Sequence, residues 1–260
     1  MSTPHAPIGV FDSGVGGLSI LRALRAELPA EDFLYFADSA HAPYGERSEG
    51  YVVDRTQAVV RELIGVHRIK ALVVACNTAT AAAIHLVRAQ YPQLPLVGVE
   101  PALKPAVALS RTGRIGVMAT RGTLASAKFL ALHESLKGQA EFVLQPCDGL
   151  ADAIQHDDAA KIAALCARYT RALGNLGSEN GQIDTLVLGC THYPFAAHHL
   201  QPLTGPGVQL IETGVPVARQ TRRLLEVAEL ARNEGAGSIA WLATGEDAVL
   251  SSVAARWLRL

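Results

Sequence analysis

Short apolar runs alternate with segments of helical period along the chain, and this alternation limits the possible folds more than any other feature. The runs fall at 7–11, 33–37, 69–75, 95–99, 114–119, 141–145, 183–189, 208–211 and 238–243. Between them lie 17–28, 50–66, 79–91, 101–110, 121–137, 158–174, 214–233 and 246–258. In the first of these, Leu18, Leu21, Leu24 and Leu28 share one helical face. Strand–helix–strand units stacked in series build a parallel sheet covered by helices on both faces. The predicted class is therefore α/β with parallel-rich sheets, and ligands of such folds bind beyond the C-terminal ends of the strands.

The chain also reads as duplicated. "IGVFDSGVGG" at 8–17 is similar to "IGVMATRGTL" at 115–124, an offset of 115 − 8 = 107. "DFLYFAD" at 32–38 aligns with "EFVLQPC" at 141–147 near an offset of 109, and "LVVACNT" at 72 with "LVLGCTH" at 186, an offset of 114. Three matches in order predict two similar α/β halves. The expected division is residues 1–98 plus 210–260 against 99–209, with the boundary near "GVEP" at 98–101, where Pro101 suits the first turn of a helix. Facing one another, such halves present Cys76 and Cys190 from opposite walls of a shared cleft.

Composition excludes several classes. With 260 residues, 49% hydrophobic, 18% charged and a net charge of −1, the chain reads as soluble and globular. Nothing in its bulk charge predicts a nucleic-acid or membrane partner, and no apolar run reaches the roughly 18 residues of a membrane span. The start, "MSTPHAPIGVF", does not resemble a signal peptide. Four cysteines without a CxxC pair fit reduced thiols, so a cytoplasmic location is expected.

The two strand-end cysteines carry the chemistry. "LVVACNTATA" at 72–81 and "LVLGCTHYPF" at 186–195 share a layout of apolar run, small residue, cysteine and two polar residues. A buried cysteine is ordinarily a small core hydrophobe, but a twin at the equivalent strand end weakens that reading. Residues able to open a helix follow each thiol, and a helix N-terminus stabilises a thiolate and binds a carboxylate. Two such bases on opposite faces of one carbon are what a racemase needs: one sulfur removes the α-proton and the other returns one. The carbanion-like transition state then depends on hydrogen bonds and desolvation. Pyridoxal phosphate would need a Schiff-base lysine. Of Lys70, Lys104, Lys128, Lys137 and Lys161, only Lys104 follows a strand that ends near the site; no cofactor is expected.

Other motifs are weaker. In "FDSGVGGLSI" at 11–20 the glycines match neither a dinucleotide nor a Walker A loop and read as a strand-to-helix turn. Asp12 and Ser13, directly at the strand end, are placed to hold a substrate ammonium or orient a thiol. "HAPYGERS" at 41–48 is a polar turn whose Gly45 N–H is available to a carboxylate. Cys147 follows a strand, Cys166 falls in a helical core pattern, and His198–His199 match no compact zinc spacing, so no metal is expected. Two further function classes compete: a cysteine hydrolase with Cys190 as nucleophile and His192 as base, which leaves Cys76 idle, and a non-catalytic amino-acid-binding protein.

"GVFDSGVGGLS", "PYGERS", "ACNTATA", "VEPA" and "LGCTHYPF", in this order, closely resemble the motifs of the glutamate racemase family of the aspartate/glutamate racemase superfamily, and "LIETGVPVAR" at 210–219 resembles its C-terminal crossover. The resemblance implies two α/β domains related by a pseudo-twofold axis, with the active site in the cleft between them. It implies cofactor-independent interconversion of L- and D-glutamate, supplying D-glutamate for peptidoglycan. By the same likeness Cys76 acts on the D-enantiomer and Cys190 on the L-enantiomer, with Asp12 and His192 assisting. Substrate contacts are implied for Asp12, Ser13, Tyr44, Gly45, Asn77, Thr78, Thr191 and His192, and a homodimer is implied. Two departures stand out. Asp148 follows Cys147 where the family often has proline, and Glu212 stands where aspartate is commoner. An acidic residue further on assists catalysis in some members, and "LADAIQ" offers Asp152 or Gln155 for that place.

Overall fold

The computed structural model describes residues 3–245 and 248–258. Its strands are β1 (Ile8–Asp12), β2 (Phe33–Ala37), β3 (Ala71–Val74), β4 (Leu96–Gly98), β5 (Arg114–Ala119), β6 (Glu141–Pro146), β7 (Thr185–Leu188), β8 (Gln209–Ile211) and β9 (Ile239–Ala243). The chain divides into two compact units, Met1–Val99 with Gly214–Leu260, and Glu100–Thr213. Because β8 pairs with β7, residues 210–213 group with the second unit and not, as the sequence suggested, with the first.

Among the described residues the first sheet runs β4-β3-β1-β2-β9 and the second β6-β5-β7-β8, all parallel. Read from its other edge, the second sheet is β8-β7-β5-β6, the order β4-β3-β1-β2 of the first. The registers agree as well. Ile8 lies opposite Phe33 and Ala71, and Ile115 opposite Phe142 and Thr185, giving offsets of 115 − 8 = 107, 142 − 33 = 109 and 185 − 71 = 114. These match the sequence offsets, so the halves are the same βαβ arrangement, with β9 added to the first.

Central strands β1, β2, β3 and β7 are buried throughout, which is why they read as unbroken apolar runs, whereas edge strands β6, β8 and β9 are partly exposed. In the first unit Phe11, Phe36 and Val74 pack against Val59, Leu63 and Ala82 from the flanking helices. In the second, Ile115, Val117 and Val187 pack against Leu103, Ala106 and Phe129.

Several helical expectations are corrected. The predicted helix 121–137 is two helices, Arg121–Ala125 and Ala127–Glu134. Ser126 between them is extended (ψ 143°) and its hydroxyl oxygen accepts the Phe129 N–H at 3.2 Å, capping the second helix. The helix expected over 101–110 is Leu103–Leu109, so Pro101 precedes it and does not occupy its first turn. The helices Leu150–Gln155 and Ala197–Thr204 were not expected; the first starts after Gly149, whose φ of 76° lies in the left-handed region that favours glycine. Of the run 246–258, residues 246 and 247 lie outside the described residues, and the helix described there is Ala248–Leu258.

Candidate active site

The same backbone bond ends both central strand pairs. Ala75 N–H donates to the Phe11 carbonyl at 2.7 Å, and Gly189 N–H donates to the Met118 carbonyl at 2.7 Å. Each donor is followed at once by a cysteine, Cys76 or Cys190. A second pair of bonds matches: Asp38 N–H reaches the Asp12 carbonyl and Cys147 N–H the Ala119 carbonyl, each at 2.9 Å. Thus Asp12 corresponds to Ala119, and the second half has no carboxylate at that strand end.

In the first unit, Cys76 is the N-cap of the helix Asn77–Gln90, and its sulfur accepts the Ala79 N–H at 3.4 Å. Its thiol faces the Ser13 hydroxyl at 3.7 Å. Asp12 is fully buried and accepts the Gly14 N–H at 2.8 Å. The expectation that the helix N-terminus depresses this thiol is overturned: its pKa is pushed up to about 12, first by burial and then by the Asp12 charge. The Ala79 N–H and the Ser13 groups lower it, but hydrogen bonds to one buried anion do not replace its lost hydration. Asn77 is buried, and its Oδ1 has no hydrogen-bond partner, an uncommon state for a buried acceptor.

The turn that carries Tyr44 and Gly45 is tied to an acidic hub that sequence reasoning missed. Asp38 accepts from Tyr44 Oη at 2.5 Å, from Arg55 Nε and Nη2 at 2.9 and 2.8 Å, and from Thr244 Oγ1 at 2.7 Å. The guanidinium and hydroxyl donors hold its carboxyl below the usual range despite burial. Burial and the Asp38 hydrogen bond raise the Tyr44 phenol, which stays protonated. A strand-end acid was the signal available: Asp38 directly follows β2, and Asp12 is the last residue of β1.

In the second unit, Cys190 begins a turn closed by Tyr193 N–H to its carbonyl at 3.0 Å, and a 3₁₀ turn, Tyr193–Ala196, precedes the helix Ala197–Thr204. Cys190 therefore does not cap an α-helix, unlike Cys76, because Thr191 and His192 turn the chain before helical geometry starts. The Cys190 sulfur lies 3.8 Å from His192 Nδ1, and His192 Nε2 lies 3.0 Å from Gln155 Oε1. An amide oxygen only accepts, so Nε2 carries the proton and the Nδ1 lone pair faces the thiol. Burial lowers the imidazole to about 4, so it is neutral at pH 7. Of the two residues the sequence left open, Gln155 is the one at His192. Asp152 instead pairs at the surface with Lys161 at 2.9 Å and His156 at 3.2 Å. Thr191 is buried beside Cys190. Lys104 is exposed on its helix, and among the described residues no group of three or more His, Cys, Asp or Glu is arranged to hold a metal. No described helix is long and apolar enough to cross a membrane.

A buried thiol at the end of a central parallel strand, repeated in two sheets that share the order of four strands, defines an α/β protein of two units with a cysteine at the equivalent strand end of each. The chain belongs to the Asp/Glu/Hydantoin racemase family, whose pattern matches residues 8–222, and is with that family a racemase. It is 48% identical over 251 residues to glutamate racemase of Ectopseudomonas mendocina, covering 95% of this chain and 92% of that protein. With the enzyme of the same name from Ralstonia nicotianae it shares 46% identity, covering 98% and 90%. Among solved structures, Escherichia coli glutamate racemase in complex with L-glutamate and the activator UDP-MurNAc-Ala is similar with a TM-score of 0.83, at 33% identity over 96% of this chain and 95% of that one. Francisella tularensis glutamate racemase in complex with D-glutamate has a TM-score of 0.83, at 26% identity over 99% and 95%.

Proposed function

We propose that this chain interconverts L- and D-glutamate without a cofactor, by proton transfer through Cys76 and Cys190. The observation that carries the reading is the matched pair of strand-end bonds, Ala75 to Phe11 and Gly189 to Met118, each delivering a cysteine to the equivalent point of a duplicated sheet. The reaction requires the two thiols to address opposite faces of one α-carbon. In this reading Cys76 removes the proton of the D-enantiomer while Cys190 donates one, and the roles reverse for the L-enantiomer. Asp12 serves Cys76 and neutral His192 serves Cys190. The unpartnered Asn77 Oδ1 accepts from the substrate ammonium, whose charge offsets that of Asp12 and makes the neighbouring thiolate more accessible. Ser13, Tyr44, Gly45, Thr78 and Thr191 complete the contacts to the carboxylates.

The reading assigns the product D-glutamate to peptidoglycan synthesis and the enzyme to the cytoplasm, where its four free thiols stay reduced. It also assigns a homodimer, which sedimentation equilibrium tests directly. Circular dichroism with L- and D-glutamate and both aspartate enantiomers, no cofactor added, tests the activity. The expected result is loss of the signal from either glutamate enantiomer, with deuterium entering the α-position in deuterated buffer. A glutamate signal that stays constant, with no deuterium uptake, overturns the proposal.

A further inference from the structure

We propose that Tyr35 is a positioning residue, its hydroxyl locking the turn that aims Asp12 at Cys76; this rests on the reading of Asp12 as the group that serves that thiol. Tyr35 is fully buried in the middle of β2, opposite Val10 of β1. Side chains alternate along a strand, so Tyr35, Val10 and Asp12 share one face of the sheet. The Tyr35 hydroxyl donates to the Gly14 carbonyl at 2.7 Å, and the Gly14 N–H donates to Asp12 Oδ1 at 2.8 Å. One glycine residue thus links the phenol to the carboxylate.

The next helix, Leu18–Glu27, has Gly17 at its N-cap, no side-chain cap and no acidic residue in its first turn. The N–H groups of Gly17 and Leu18 face the Tyr35 oxygen, the Leu18 N–H also donating to the Val15 carbonyl at 3.1 Å. A hydroxyl both donates and accepts, so this one binds the carbonyl at the start of the turn and faces the amides at its end. Gly17 is where these groups converge. A Cβ there would stand 2.6 Å from the Asp12 Cβ and 2.8 Å from the Tyr35 oxygen. Phenylalanine would fill the same space and leave the Gly14 carbonyl and the Gly17 amide facing no hydroxyl, freeing the turn beneath Asp12.

The test is a double-mutant cycle in the full chain, with Tyr35→Phe, Asp12→Asn and the double variant assayed for glutamate racemisation well below their melting temperatures. Tyr35→Phe should lower kcat about tenfold or more, since a misplacement near 1 Å costs as much as a hundredfold, while KM moves less than about threefold. In the Asp12→Asn background the same change should cost less than about twofold, because both act through one carboxylate. Gly17→Ala, which crowds the same two groups, should reproduce the kcat loss and gives a second route if Tyr35→Phe folds poorly. A purely structural role lowers Tm and leaves kcat intact, and that outcome overturns the proposal, as does a double variant whose losses multiply. An active parent with an impaired Asp12→Asn but unaffected Tyr35→Phe and Gly17→Ala removes Tyr35 alone. An inactive parent, or a fully active Asp12→Asn, removes the reading of Asp12 and this proposal with it.

Discussion

His192 Nε2 lies 3.0 Å from Gln155 Oε1, an amide and not a carboxylate, so the imidazole beside Cys190 is held in one tautomer without being charged. Its Nδ1 lone pair is then the acceptor for the thiol. Gln155→Leu should lower kcat about tenfold by releasing the ring, within the range expected when the partner of a functional histidine is lost. Gln155→Glu places a negative charge at the same contact and favours the imidazolium. A His192 value near 4 should rise, carrying the acid limb of the kcat/KM profile to higher pH. Profiles of the three proteins from pH 4 to 8 check both statements; an unshifted limb in the Glu variant refutes the assignment.

Each cysteine should be indispensable. In the proposed two-base mechanism Cys76→Ala and Cys190→Ala each remove one of the two acid–base groups, an effect typically worth about 10² to 10⁴ in rate. Racemisation should fall by at least a factor of about 10³ in either variant, measured by circular dichroism from each enantiomer. Because racemisation has an equilibrium constant of one, kcat/KM must fall equally in both directions. Full activity in either variant is incompatible with a two-base mechanism.

Stability should be greatest between about pH 6.5 and 9. The Cys76 thiol has a folded value near 12, above the unfolded one, so its contribution is complete below about pH 9 and is lost as pH rises towards 12. His192 has a folded value near 4, below the unfolded one, so its contribution is complete above about pH 6.5 and is lost as pH falls towards 4. A Tm series across pH 4 to 11 should show both declines. Cys76→Ala should lessen the alkaline decline, to which burial of the Cys147 and Cys166 thiols also contributes, and His192→Gln should lessen the acid one; unchanged curves in these variants count against the assigned groups.

Lys70 should matter for stability and not for turnover. Its ammonium is buried just before β3, 2.5 Å from Glu31 Oε2, with the Pro4 and Leu230 carbonyls at 2.5 and 2.9 Å. Lys70→Met leaves the Glu31 carboxylate buried without its partner, a change that costs about 3–5 kcal/mol. Urea unfolding should record that loss, while kcat of the folded fraction changes less than about twofold. A loss below about 1 kcal/mol contradicts this account.

The sequence alone determined the strands, because a central parallel strand must be apolar on both faces and therefore reads as an unbroken run. It determined the duplication too, since the offsets 107, 109 and 114 are those of the paired registers. It also singled out Cys76, Cys190, Asp12 and Ser13, each standing where a run stops. Tertiary structure decided what these residues touch. Tyr35 looks like any strand aromatic until its hydroxyl meets Gly14, and Gln155 became distinct from Asp152 only when one helix turned it towards His192. The thiol ionisation could not be read locally either. A helix N-terminus is visible in a pattern of residues, but desolvation depends on everything packed around the sulfur, and here that packing outweighs the local hydrogen bonds.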